Sequence, residues 1–217
     1  MHSFTEENYL KTIYHLSNGN NSVVNTNAIS EFMNTKAASV TDMLKKLAEK
    51  KLINYAKYQG VTLTESGCKA AIKIIRKHRL WEVFLVDKLG FKWDEVHEIA
   101  EELEHINSEL LIQRLDHFLG KPTTDPHGDP IPDDLGNFQQ KKLVKLSEMK
   151  INDKGTLSGV TEHSAVFLQF LEKCGLTLGT KINVLEVFEF DGSVNLLINN
   201  MKEITISREV AKNLLVV

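Results

Sequence analysis

Residues 95–105 read Glu-Val-His-Glu-Ile-Ala-Glu-Glu-Leu-Glu-His: seven of the eleven are acid or histidine and none is Lys or Arg. Ordinary helix surfaces pair acids with bases one turn apart, so this stretch repels itself unless cations compensate. At 100° per residue His97, Glu101, Glu104 and His105 fall within an arc of about 100° beside the apolar stripe, and such an arc can coordinate a metal ion. His78 and Glu82, four residues apart on the preceding segment, offer a second pair of the same kind. Mixed imidazole and carboxylate ligation suits Mn(II), Fe(II), Co(II) or Zn(II). The bland alternative is a solvated acidic face with incidental histidines; two pairs with matching spacing weigh against it. The only cysteines, Cys68 and Cys174, lie far apart, so no disulfide framework and no CxxC site is available.

A different chemistry precedes the acidic stretch. Residues 36–79 carry eleven Lys/Arg against three acids, whereas residues 80–135 carry four against fourteen, an asymmetry hidden by the formal net charge of -3. One part is built for a polyanion and the other for cations. Within the basic part, residues 27–33 and 36–47 have helical apolar spacing on either side of Asn34-Thr35, as in a helix-turn-helix. The second helix opens on Lys36, Ala37, Ala38, Ser39 and Thr41, small and polar types that permit close approach to base edges in the major groove. Lys45, Lys46 and, at the tip of the next segment, Lys57 would supply phosphate contacts.

These groups need elements to hold them. Helical spacing at Tyr9, Ile13 and Leu16 adds a first helix, and residues 52–63 have β-favouring types around a Lys-Tyr-Gln-Gly tip. Three helices and a hairpin make a winged helix-turn-helix. A long helix is expected from Thr64 to about Leu89, and another from Trp93-Asp94 to about Leu119. Two helices alone expose too much apolar surface, so a second copy of the chain is the expected partner, giving a homodimer. All four prolines fall between Pro122 and Pro132, which excludes helix and central strand there. Beyond them, residues 180–188, 194–198 and 203–206 read as strands with an Asp191-Gly192 turn, a small closing β-barrel. The expected fold is mainly α with small β: a winged helix-turn-helix over 1–72, a helical metal-binding and dimerisation domain over 73–146 with its Pro-rich loop at 120–136, and a barrel domain over 147–217. No apolar run approaches the roughly 18–20 residues of a membrane helix, and the acidic opening lacks the character of a signal peptide, so a cytoplasmic protein is expected.

The chain resembles the diphtheria-toxin-repressor family of iron- and manganese-dependent transcriptional repressors. The resemblance rests on residues 9–14 (Tyr-Leu-Lys-Thr-Ile-Tyr), the helix-turn-helix, 63–67 (Leu-Thr-Glu-Ser-Gly), 76–82 (Arg-Lys-His-Arg-Leu-Trp-Glu), Val96-His97 with Glu104-His105, and 126–132 (Pro-His-Gly-Asp-Pro-Ile-Pro). It implies that the closing barrel is SH3-like. It also implies an ancillary metal site at His78, Glu82 and His97 and a primary, regulatory site at Glu101, Glu104 and His105. The primary site takes a further ligand from the first helix, where this chain has Asn8, with Glu7 as a nearby substitute. Oxygen at Glu101, where iron-responsive members have sulfur, favours Mn(II), with Fe(II) next and Co(II) or Zn(II) as substitutes. Lys11 stands where the manganese branch has Glu, which argues against a paired-metal cluster. Glu162 and His163 are candidates for a ligand lent by the barrel. The implied function is binding of palindromic double-stranded operator DNA by a metal-loaded dimer that controls metal homeostasis. Two other classes compete: a di-metal carboxylate/histidine helical enzyme, and a protein-binding winged helix with a structural metal. Against the enzyme, Glu101 stands where the zinc-protease signature needs its second His, and no Gly-rich phosphate loop or nucleophile elbow occurs.

Overall fold

The computed structural model describes residues 2–19, 22–56, 59–139 and 141–217. Two compact units emerge, one comprising Met1–His78, Glu102–Ser108 and Pro132–Asn137, the other Arg79–Glu101, Glu109–Ile131 and Phe138–Val217.

The first unit holds α1 (Phe4–Leu16), α2 (Thr26–Phe32), α3 (Ala37–Glu49) and the antiparallel pair β1 (Ile53–Ala56) and β2 (Gly60–Leu63). A capping box starts α1: Ser3 Oγ accepts from the Glu6 amide while the Glu6 carboxylate accepts from the Ser3 amide. Tyr9, Leu10 and Ile13 on one face of α1 pack with Ile29, Val40, Leu44 and Leu47 from the next two helices. Fully burying a side chain of this size contributes about 1.5–3 kcal/mol, so this face fixes how α1 lies on α2 and α3. The tight α2–α3 turn places Asn34 at φ 46, a conformation Asn tolerates, and Ser30 Oγ closes it on the Thr35 carbonyl at 2.5 Å. Val24 bridges Val61, adding a third edge to the hairpin. The winged helix-turn-helix expected from the sequence is present, while the tip residue Lys57 lies outside the described residues.

Helix α4 (Glu65–Leu89) runs as expected. The helix expected from Trp93 to Leu119 does not: α5 spans His97–Leu103 and α6 spans Glu109–Phe118, with Glu104–Ser108 in a non-helical turn. Asn107 and Ser108, whose side chains compete for backbone hydrogen bonds and favour helix starts, stand just before α6 and explain the break. The 100° periodicity therefore fails beyond Leu103, and Glu104 and His105 do not continue an arc begun by His97 and Glu101.

The rest of the second unit is the loop through the prolines and a six-stranded antiparallel sheet. Its strands are β3 (Val144–Lys145), β4 (Lys154–Val160), β5 (Lys181–Val187), β6 (Val194–Ile198), β7 (Lys202–Ile206) and β8 (Leu214–Val216), in the order β3-β8-β4-β5-β6-β7. Helices α7 (Ala165–Cys174) and α8 (Arg208–Lys212) close it over Leu157, Leu168, Leu171, Val184 and Leu196. This is the small SH3-like barrel. Strand β4 also pins the proline loop, since the Val160 amide donates to the His127 carbonyl at 3.0 Å. Gly128, at φ 90, lies against the Ser158 carbonyl so closely that any Cβ would collide with it.

Candidate metal centres and nucleic-acid interface

In the first unit, α1 and the turn after α5 bring Glu7, Lys11, Glu104 and His105 together with His78 of α4. Glu104 is fully buried. Its carboxylate accepts from Lys11 Nζ at 2.7 and 2.8 Å and from His78 Nδ1 at 2.7 Å. Burial alone would raise the Glu104 carboxyl, but the hydrogen bond from His78 and the charge of Lys11 outweigh it and hold the group below its ordinary value. The self-repulsion expected of this acid is thus balanced inside the protein. His105 Nδ1 meets Glu7 Oε2 at 2.6 Å, with the imidazole stacked on Phe4 at 4.5 Å between ring centroids. When each Nδ1–H donates to its carboxylate, Nε2 of both histidines keeps its lone pair, the tautomer of a metal-ligating histidine. Glu7, the expected substitute ligand, has its Oε2 on His105 Nδ1.

His105 Nε2 is 3.9 Å from Glu104 Oε1, and Asn8 Oδ1 is buried without a hydrogen-bond partner. A buried carbonyl oxygen lacking a donor is disfavoured, and a cation is one partner that would satisfy it. The donor set fits a divalent ion. Glu101, half exposed in the other unit, has His97 Nε2 at 3.7 Å.

The second unit holds a cluster that sequence reasoning missed. One ligand atom from each of Glu82, Asp125 and His127 lies within 4.8 Å of the others, and all three residues are buried. His127 Nε2 donates to the Trp93 carbonyl at 2.7 Å, which turns Nδ1 towards Glu82 Oε1, 3.7 Å away. His97 Nδ1 is 3.6 Å from the same oxygen. His78, Glu82 and His97, the triad expected from the sequence, also have one ligand atom each within 4.8 Å of the others, while His78 Nδ1 is engaged by Glu104. Burial, with the charges of Glu82 and Asp129, pushes Asp125 up to about 7. Burial lowers His127, but its contact with Glu82 and the charge of Asp125 more than offset this and carry it up to about 9. The upward shifts of Asp125 and His127 both reflect the negative charge gathered around Glu82, which fits a cation with oxygen and nitrogen ligands. Of the two barrel candidates, His163 stacks on His127 at 4.9 Å between ring centroids and donates Nε2 to the Val160 carbonyl at 3.3 Å. Glu162 is exposed, and its carboxylate accepts from the Ser164 amide at the start of α7. The signal for the missed ligands was Asp125-Pro126-His127-Gly128-Asp129: two ligating types two residues apart, in a loop whose prolines and glycine limit its conformations.

On the helix-turn-helix, Lys36, Ala37, Ala38, Ser39, Lys45 and Lys46 are exposed and Thr41 is half-buried. Ser30, Glu31, Asn34, Thr35, Lys36 and Ser39 line an open concavity at the start of α3. Thr41 Oγ1 donates to the Ala37 carbonyl at 2.9 Å, so towards DNA its hydroxyl can only accept while its methyl adds to those of Ala37 and Ala38. Lys45 pairs with Asp42 at 3.2 Å across exposed surface, a weak contact that leaves the ammonium available to a phosphate. Among the described residues no helix is long and apolar enough to cross a membrane.

Residues 1–61 match the family model for the N-terminal DNA-binding domain of iron-dependent repressors, and residues 64–133 match that family's metal-binding and dimerisation domain. Residues 144–217 match the FeoA domain. The iron-dependent repressor IdeR of Mycobacterium tuberculosis is 31% identical over 219 residues, 95% of this chain and 94% of that protein. IdeR of Mycobacterium leprae is 37% identical over 152 residues, 67% of this chain and 66% of that protein. Among solved structures, a manganese-dependent transcriptional repressor in complex with manganese superposes with a TM-score of 0.87 at 34% identity, covering 98% of this chain and 99% of that one.

Proposed function

The chain belongs to the iron-dependent repressor family of metal-dependent transcriptional regulators, and from that premise we propose that it is a repressor that binds palindromic operator DNA as a homodimer when loaded with Mn(II), or less favourably Fe(II). The observation that carries the proposal is the set of donors shared between α1 and the turn after α5: Asn8 Oδ1, Glu104 and His105 Nε2. These residues would hold the ion, and its contribution is a charge-neutralising link between two segments far apart in sequence. Because Tyr9, Leu10 and Ile13 of α1 pack into the same core as Val40 and Leu44 of α3, tethering α1 fixes the attitude of the recognition helix. Operator half-sites demand a set separation of the two recognition helices in a dimer, so restricting that attitude selects the geometry that fits DNA.

Glu82, Asp125 and His127 form the ancillary site in this proposal, with His97 and His163 beside it, and the DNA-facing residues are Lys36, Ala37, Ala38, Ser39, Thr41, Lys45 and Lys46. Manganese is favoured because the donors are oxygen and imidazole without sulfur. Neither centre adjoins a nucleophile elbow or a phosphate-binding loop, which supports a regulator over an enzyme. The test is operator binding by the full chain against Mn(II), anaerobic Fe(II), Co(II) and Zn(II), with Glu104→Gln and His105→Ala in parallel. Metal-activated binding that both substitutions abolish, in chains that remain folded dimers, is the expected result. Equal operator affinity with metal and with chelator would refute it.

A further inference from the structure

Arg79 lies three residues before Glu82 on α4 and its side chain is only 18% exposed. Its guanidinium addresses the proline loop at three points: Nη1 donates to the Pro130 carbonyl at 2.5 Å, Nη2 donates to Asp129 Oδ2 at 2.9 Å, and Nε lies 3.6 Å from Asp125 Oδ2. Asp125 in turn folds the loop on itself, because its Oδ1 accepts the amides of His127 and Asp129, each at 2.9 Å. Arg79 and the carboxylate it faces therefore supply the side-chain contacts that fold residues 125–130 on themselves, while Trp93 and Val160 hold His127 from the outside. Glu82 is placed by a rigid helix, whereas Asp125 and His127 depend on a loop for their positions.

We propose that Arg79 is the positioning residue of the Glu82–Asp125–His127 centre, holding the loop so that a carboxylate oxygen and an imidazole nitrogen meet Glu82 at the spacing a divalent ion needs. The inference rests on the metal-binding reading of that cluster given above. Arginine suits the task because its donors form a planar fork that can meet a carbonyl and a carboxylate at once, which a lysine ammonium on a flexible stem cannot reproduce. Its charge also keeps Asp125 and Asp129 from repelling each other and Glu82. The Nε contact to Asp125 is the longest of the three, so Asp125 can turn Oδ2 to an ion while Arg79 stays anchored on Asp129 and Pro130.

Partners that orient metal ligands typically change affinity by about 10–100-fold when replaced. The experiment is titration of the full chain with Co(II) and Mn(II), carried out in a Glu104→Gln background so that the buried cluster is read alone. Arg79→Gln should weaken binding about 10–100-fold and alter the Co(II) visible spectrum, Arg79→Lys should restore only part of the affinity, and Asp129→Asn, which keeps an acceptor for Arg79, should lose less than Arg79→Gln. Unchanged affinity and spectrum in Arg79→Gln would overturn the role of Arg79. So would full restoration by Lys, which would reduce that role to charge alone, or equal loss at both centres when Arg79→Gln is made with Glu104 intact. Should Arg79→Gln not fold, the Lys and Asp129→Asn variants decide by the same ordering. Failure of Glu82→Gln to remove the ion would refute the centre itself, an outcome distinct from failure of Arg79.

Discussion

Replacing Lys11 by Met should make the Glu104 centre bind Mn(II) more tightly while lowering the stability of the metal-free protein. Lys11 Nζ touches both oxygens of a fully buried carboxylate, and its own side chain is 20% exposed. A divalent ion on Glu104 meets this ammonium at close range. At an effective dielectric of about 20, two unit charges roughly 4 Å apart interact by about 4 kcal/mol, and a divalent ion doubles that. The partial exposure of Lys11 lets the ammonium swing towards water, so the penalty is capped at the worth of the contact it abandons, about 1.5–3 kcal/mol for a hydrogen bond to a charged group. Removing that penalty corresponds to roughly 10–150-fold in affinity. The metal-free protein should lose about the same 1.5–3 kcal/mol, and not the larger cost of an orphaned buried charge, because the His78 hydrogen bond to Glu104 remains. Free Mn(II) measured by electron paramagnetic resonance during titration reads the affinity, and thermal melting in chelator reads the stability. Affinity that is unchanged or weaker in Lys11→Met, in a chain that melts normally, would refute the competition between the ammonium and the ion.

Three further outcomes are expected. Since His127 lies up at about 9 and Asp125 up at about 7, an ion bound by Glu82, Asp125 and His127 near pH 7 should release between about one and two protons, and calorimetry in buffers of different ionisation enthalpy should show the release vanish above about pH 9. For the metal-free chain the raised His127 value contributes stability that is complete below its ordinary value of 6.5 and disappears as pH rises through about 9, so its melting temperature should fall across that window unless metal is added. Asn8→Asp puts a carboxylate where a buried amide oxygen has no donor; Mn(II) affinity at the Glu104 centre should rise about tenfold or more by the same titration, and a fall would remove Asn8 from the ligand set. On DNA, Ser39→Ala should change sequence preference, whereas Lys46→Ala should weaken binding to all sequences and reduce the slope of log affinity against log salt by about one, both read by fluorescence anisotropy.

The winged helix, the long α4 and the strands from 181 onwards were legible because each carries a strong local period: apolar residues at helical spacing in α1 and α3, and β-favouring types in β5, β6 and β7. Glu104, His105 and Glu82 were legible as candidate donors through residue type and through resemblance to a known family. The apparent helix across Glu104–Ser108 misled, because apolar spacing continues through a break made by the capping habits of Asn107 and Ser108. Asp125 and His127 were not legible as candidate donors because a loop has no period, so nothing local says which way its side chains point.

The chain's own order of residues determined that donors exist, that they are oxygen and imidazole, and that a basic reading helix precedes them, since these are properties of residue type and short-range spacing. Only the tertiary structure decided which donors meet: that Lys11 and His78 meet Glu104, that Glu7 meets His105 while Asn8 Oδ1 is buried without a hydrogen-bond partner, and that Arg79 bonds to the proline loop at Asp129 and Pro130. Such meetings join residues tens of positions apart in sequence and depend on how buried apolar faces dock, a cooperative outcome of packing that no local pattern encodes.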